Sequence, residues 1–204
     1  MTKIYWIGGS PCSGKSTIAE ILSNKYGLYY FKVDDYLEKY TNNGALLNLE
    51  LCVKQNKMTP EETWMREPIL QCKEELQFYE EIFDFILHDL EAICGGKDIL
   101  TEGAAYLPNL MIKKYIPWNR YVAITPTKDF QIRHYMQREW VRFVLNGCSD
   151  VQRAFKNWMD RDFLFAEEVI RQCGENRYLS FVNDGQIEIK DFVNLVSDHF
   201  GLEV

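Results

Sequence analysis

Between the strand-like run Ile4–Gly8 (IYWIG) and a helix-like run beginning near Ile18 lies the stretch GGSPCSGKST, Gly8 to Thr17. Its core, Gly9-x-x-x-x-Gly14-Lys15-Ser16, matches the pattern of a phosphate-binding loop (P-loop) without gap or substitution. Glycines let the backbone curl so that successive N–H groups aim at a phosphate, and the following helix adds its positive N-terminal end. Gly9, Ser10, Pro11, Cys12, Ser13, Gly14, Lys15, Ser16 and Thr17 are therefore the candidate nucleotide-binding residues. Lys15 is placed to reach the β- and γ-phosphates and the Ser16 hydroxyl to ligate Mg2+. A strand must precede such a loop and a helix must follow it, so the motif also commits the start of the chain to a βα unit.

The rest of the chain alternates in the same way, which predicts an α/β fold with a parallel sheet. Strands are expected at Ile4–Gly8, Tyr29–Val33, Asp98–Thr101, Arg120–Thr125 and Tyr178–Val182. Residues 36–96 read as helical, with a helix start at Thr59-Pro60-Glu61-Glu62: a Thr cap, Pro in the first turn and Glu three residues after the cap. A second helical region covers 128–173, interrupted near Asn146-Gly147, and a final helix carries Phe192 to Phe200 before Gly201. The expected organisation is one domain over 1–204, with a helical acceptor-binding insertion at 36–96 and a lid with its following helices at 127–173.

Composition narrows the function classes. A net charge of −7 argues against the basic face that a duplex nucleic-acid partner demands, and leaves room for a local basic cluster around a nucleotide. No apolar run approaches the roughly 20 residues of a membrane span, and the strand at the N-terminus leaves no room for a signal peptide. The six cysteines (Cys12, Cys52, Cys72, Cys94, Cys148, Cys173) show no C-x-x-C pair and are expected as reduced thiols in a cytoplasmic protein. Assembly is left open, a homodimer included.

Three kinds of P-loop protein compete. A GTP switch needs an N/T-K-x-D segment, and Thr127-Lys128-Asp129-Phe130 puts Phe where its last Asp belongs. A motor or transporter ATPase carries a strand ending in Asp or Asp-Glu, whereas ILTEG ends in Glu102-Gly103. A small-molecule kinase is favoured by the carboxylates. Open α/β sheets bind ligands beyond the carboxyl ends of their strands, and Asp34-Asp35 and Glu102 stand at two such ends. One carboxylate there can accept the proton of an acceptor hydroxyl and another can hold Mg2+. Asp34 is the candidate base, and Asp35 reads as the cap of the following helix.

The segments GGSPCSGKST, KVDDYLEKY and ILTEGAAYLP together resemble the nucleoside- and nucleotide-kinase-like P-loop phosphotransferases, a group that includes uridine kinases, nicotinamide riboside kinases and chloramphenicol phosphotransferases. The resemblance implies a three-layer fold with sheet order 2-3-1-4-5, ATP and Mg2+ as cofactors, Asp34 as catalytic base, and Glu102 at a metal- or acceptor-binding position. It also implies a lid whose arginines close over the phosphates. TPTKDFQIRHYMQREWVR looks like that lid, with Arg133 and Arg138 as catalytic candidates, Arg142 as a nucleotide contact, and Arg161 as a further candidate if the lid extends. The insertion departs from the family. Tyr36, Trp64 and Arg66 are its candidate acceptor contacts, WMREP offering an aromatic wall and a cation, although a Trp beside Met also suits simple packing. The expected activity is transfer of the ATP γ-phosphate to a hydroxyl of a small molecule, first a nucleoside-like one and next an antibiotic or sugar-type alcohol. A nucleotide-binding regulator with the acceptor cavity packed shut is the reading from another class.

Overall fold

Five short apolar segments become the strands of one parallel sheet. In the computed structural model, which describes residues 2–93 and 95–203, these are β1 (Ile4–Gly8), β2 (Tyr29–Lys32), β3 (Ile99–Glu102), β4 (Tyr121–Pro126) and β5 (Leu179–Asn183). Their order is β2-β3-β1-β4-β5, as the sequence resemblance implied. Every pairing is parallel, with Ile7 opposite Glu102 on one side and Val122 on the other. β4 is buried from end to end, the expected state of a parallel strand covered on both faces.

Side-chain alternation sends the two halves of each strand to different cores. On one face Tyr5, Ile7, Leu100, Val122 and Ile124 pack against α1 (Lys15–Tyr26) and the C-terminal helix Ile189–Phe200. On the other, Trp6, Phe31, Ile99, Tyr121 and Ala123 join a larger core with the long helices between. Between β2 and β4 the chain forms, besides β3, α2 (Leu37–Leu46), α3 (Glu50–Gln55), α4 (Pro60–Trp64), α5 (Pro68–Glu91) and α6 (Pro108–Lys113). After β4 come α7 (Lys128–Met136), α8 (Val141–Val144), α9 (Val151–Asn176) and, after β5, α10 (Ile189–Phe200). A third cluster of Tyr135, Val141, Leu145, Ala154, Trp158 and Met159 ties α7 and α8 to α9.

Local signals explain most boundaries. The expected capping box forms: Thr59 accepts from the Glu62 N–H, and the Glu62 carboxylate accepts from the Thr59 N–H at 2.9 Å. Gly27 and Gly201 close their helices in the left-handed conformation. Three departures stand out. β2 ends one residue early, and Val33–Tyr36 forms a 3-10 turn; Asp35 is inside that turn and caps nothing, while α2 starts behind Tyr36 with no side-chain cap. The helical region after β4 breaks at residues 137–140 as well as near Gly147. The six-residue α6, begun by Pro108, has no counterpart in the sequence reading. Cys94 lies outside the described residues, and the other five cysteines are free thiols.

Candidate active site

The sheet order reverses at β1: β3 lies on one side and β4 on the other. A crevice opens at the carboxyl ends of the strands at such a point, and the loop Gly9–Gly14 fills its floor. Gly9 has φ +117, and a Cβ there would run into the backbone carbonyl of Ile124 in β4. Gly14 has φ +91 and leads straight into α1. These two glycines are thus demanded by packing and conformation, not only by the motif.

Lys15 is buried and crosses the loop, its Nζ donating to the Ser10 carbonyl at 2.7 Å. Burial pulls its pKa down, while the carboxylates of Glu102 and Asp34 oppose that shift. Glu102 is 1% exposed and accepts from Ser16 Oγ at 2.9 Å and from the Tyr30 hydroxyl at 3.1 Å, both on Oε1. Burial pushes its carboxyl up, Lys15 pulls it back, and the charge of Asp34 adds to the rise. Because Ser16 spends its proton on Glu102, the lone pairs of its oxygen are left for a cation.

A cleft of about 450 Å3 lies over these groups. Pro11, Cys12, Gly14, Lys15, Ser16 and Thr17 line it from the loop, and Lys32, Asp34 and Glu102 from the ends of β2 and β3. Arg138, Trp158 and Arg161 close the far side. The lining carries four cations (Lys15, Lys32, Arg138, Arg161) against two carboxylates (Asp34, Glu102). On a chain of net charge −7, that local excess suits a polyphosphate. The oxygen donors fit Mg2+, a hard cation commonly bound through one or two carboxylates plus substrate phosphates. Ser16, Glu102 and Asp34 are the residues available to it. No group of three or more His, Cys, Asp or Glu that could hold a metal occurs among the described residues, and Mg2+ bound in this way requires none.

The predicted residues separate clearly. Asp34, exposed at the cleft, joins the loop, Glu102, Arg138 and Arg161. Arg133 and Arg142 do not: both are exposed outside the cleft, and Arg142 lies over the Phe143 ring beside a different hollow on α8. Tyr36 is not a cleft residue either, since it stacks flat on Phe31 at 4.9 Å. Trp64 and Arg66 line a neighbouring cavity of about 280 Å3 with Lys54, Glu74, Glu75 and Thr63. Trp64 is stacked on Trp158 at 4.6 Å and lies under Arg161, whose guanidinium is 5.3 Å from the ring centre. Cys12 has φ 61 and a thiol pushed up by burial, with nearby Arg138 opposing. It therefore contributes backbone, not a nucleophile.

Arg161 belongs to both cavities. Its Nη1 meets Glu75 of α5 at 2.8 Å and its Nε meets Asp162 at 2.6 Å. Burial opposes the guanidinium charge, but those two carboxylates more than offset it and raise the pKa. Asp162 also accepts from Gln131 of α7 at 3.1 Å, and burial lifts its pKa to about 6 against the pull of Arg161.

Three residues escaped the sequence reading. Lys32 enters through β2, two residues before Asp34. Tyr30 reaches Glu102 from the same strand. Asn183, at the end of β5, donates its amide to the Ser13 carbonyl at 2.9 Å and so braces the loop from the opposite side. The alternation of β2 could have exposed the first two; nothing local marks Asn183.

Solved structures share this fold. A shikimate kinase from Bacteroides thetaiotaomicron superposes with a TM-score of 0.57 at 16% identity, over 98% of this chain and 99% of that one. This chain has the same P-loop fold. An uncharacterized protein from Eubacterium ventriosum matches at 0.52 and 13% identity, over 99% and 100% of the two chains. A Thermus thermophilus protein matches at 0.52 and 14%, over 100% and 99%. No protein-family model and no curated protein matches the sequence. No helix among the described residues is long and apolar enough to cross a membrane.

Proposed function

We propose that this P-loop protein is an ATP- and Mg2+-dependent kinase that phosphorylates a hydroxyl of a small molecule. The observation that carries the reading is the placement of Arg161 as a wall common to the loop-side cleft and to a second polar cavity. A transferase needs a donor half and an acceptor half that meet at one point. A regulator that only reads nucleotide has no use for the second, open one. In this reading residues 36–96 form the acceptor side and 127–173 the lid, and the fold shared with a shikimate kinase agrees with it.

Asp34 takes the proton of the acceptor hydroxyl as its oxygen bonds to the γ-phosphorus. The bond from that phosphorus to the bridging oxygen breaks, and ADP leaves. Lys15, Arg138 and Arg161 hold charge on the non-bridging oxygens, the main task in a loose phosphoryl transfer. Bound Mg2+ supplies charge neutralisation on the β- and γ-phosphates. Arg161 and Arg138 stay charged when water is excluded, as guanidiniums do.

For the acceptor, the resemblance supports a nucleoside-like alcohol. The cavity supports a smaller one. Its volume of about 280 Å3 is at the low end of ligand pockets, and Trp64 is already engaged by Trp158 and Arg161. Lys54 and Arg66 both converge on Glu74, at 2.6 and 2.5 Å, leaving one positive charge of that trio uncompensated. Anionic alcohols therefore rank ahead of nucleosides, with sugars and antibiotics after them. The test is ADP release from Mg-ATP across a panel of hydroxy acids, sugar acids, nucleosides and aminoglycosides, with product phosphate located by mass spectrometry. Turnover above the ATP-only rate for an anionic alcohol supports the reading; no acceptor raising that rate across all four classes counts against a kinase.

A further inference from the structure

We propose that Tyr30 is a positioning residue for the metal-side carboxylate of the site: its hydroxyl clamps Glu102 so that the carboxylate and Ser16 present a fixed pair of oxygens to Mg2+. The proposal rests on the kinase reading above.

The register brings these groups together. β2 pairs with β3 with Tyr30 opposite Leu100 and Lys32 opposite Glu102. Tyr30, Leu100 and Glu102 consequently share the sheet face covered by α1, and Ser16 sits in the first turn of that helix. Two hydroxyls, one from the strand and one from the helix, then donate to the same atom, Glu102 Oε1. The other oxygen, Oε2, makes no hydrogen bond with the described residues. One oxygen is held from two directions and its partner is kept available.

The clamp is not a by-product of packing. A glutamate χ3 angle is broad and roughly two-fold, so one hydrogen bond from Ser16 would leave the carboxylate free to turn about it. Ser16 is also the less suitable anchor, being itself a proposed ligand. Tyr30 is fixed by its strand and by the core it packs against, and it is not among the residues that line the cleft. Partners that orient metal-binding carboxylates in this way typically contribute about 10–100-fold in metal affinity.

The test is Tyr30→Phe, which removes one oxygen and keeps the ring. Binding of a non-hydrolysable ATP analogue is measured by calorimetry in EDTA and across a Mg2+ titration, for the wild type and the variant, with a melting curve for each. The expected result is an unchanged Kd in EDTA, a melting temperature close to wild type, and an apparent Kd for Mg2+ raised about tenfold. Superimposable Mg2+ titrations overturn the proposal. So does an equal loss of binding with and without Mg2+, or failure of the variant to fold, because either makes the hydroxyl a structural group. A wild type that binds no analogue at all removes the kinase reading itself, and it is recognised before any variant is compared.

Discussion

The two carboxylates in the cleft sit in different surroundings. Glu102 is buried and already bonded to Ser16 and Tyr30, so it is poorly placed to collect a proton from an incoming hydroxyl. Asp34 is exposed at the cleft wall and lines it directly, which is what a general base requires. Asp34→Asn should leave ATP binding intact and lower kcat by about 10²–10⁴. Single-turnover rates with the acceptor found in the panel would check this, and a variant within threefold of wild type would transfer the base role elsewhere. Asn183→Ala tests the opposite kind of residue, one that touches no reactant. Without its amide the Ser13 carbonyl loses the 2.9 Å bond from β5. KM for ATP should rise several-fold while KM for the acceptor stays put, as measured by steady-state kinetics.

Among the elements, α9 carries the most consequential neighbours, Arg161 and Asp162, and joins α5 and α7 through them. Asp162 has its pKa raised by burial, from an ordinary 3.8 to about 6. Between those values the folded chain holds a proton at this site that the unfolded chain has released. This group's stabilisation is therefore full below pH 3.8 and is lost as pH rises past about 6. Asp162→Asn has no such titration. Its stability relative to wild type should climb across that window by up to roughly 3 kcal/mol, whatever constant offset the lost ion pair adds. Urea melts at several pH values read the difference directly, and a flat difference would show that Asp162 is charged throughout. The same helices show what a sequence discloses. The βα unit around GGSPCSGKST, the Thr59–Glu62 box and the Gly201 stop are written in neighbouring residues, and they were legible. The pairing of Arg161 with Glu75, 86 positions apart, and of Asn183 with Ser13, 170 apart, is set by strand order and helix packing, which no local period encodes. α6 has no sequence signal because six residues span too few turns to display an apolar period, and the stacking of Tyr36 on Phe31 has none because a tyrosine beside a motif looks the same whether it packs or binds.

At the scale of the molecule, the cleft over the loop is built from pieces remote in sequence: the loop after β1, the ends of β2 and β3, and Arg138 and Arg161 from beyond β4. A ligand filling it must cross-link these pieces, so binding should register as global stability. A ligand that binds only the folded state contributes about 2.7 kcal/mol at one hundred times its Kd. For a chain of 204 residues that corresponds to a rise in melting temperature of about 5–10 °C. ATP with Mg2+ should produce this shift in wild type. Lys15→Ala removes the buried cation from the loop floor and should abolish most of it while the ligand-free protein still melts cooperatively. Arg66→Ala separates the two halves, because Arg66 lines only the second cavity. Its ATP-induced shift should match wild type, and the additional shift from an anionic acceptor should disappear. Differential scanning fluorimetry on the three proteins, with ATP and acceptor added singly and together, distinguishes these outcomes. Loss of the ATP shift in Arg66→Ala would mean that the two cavities act as one site and that the division at Arg161 is wrong.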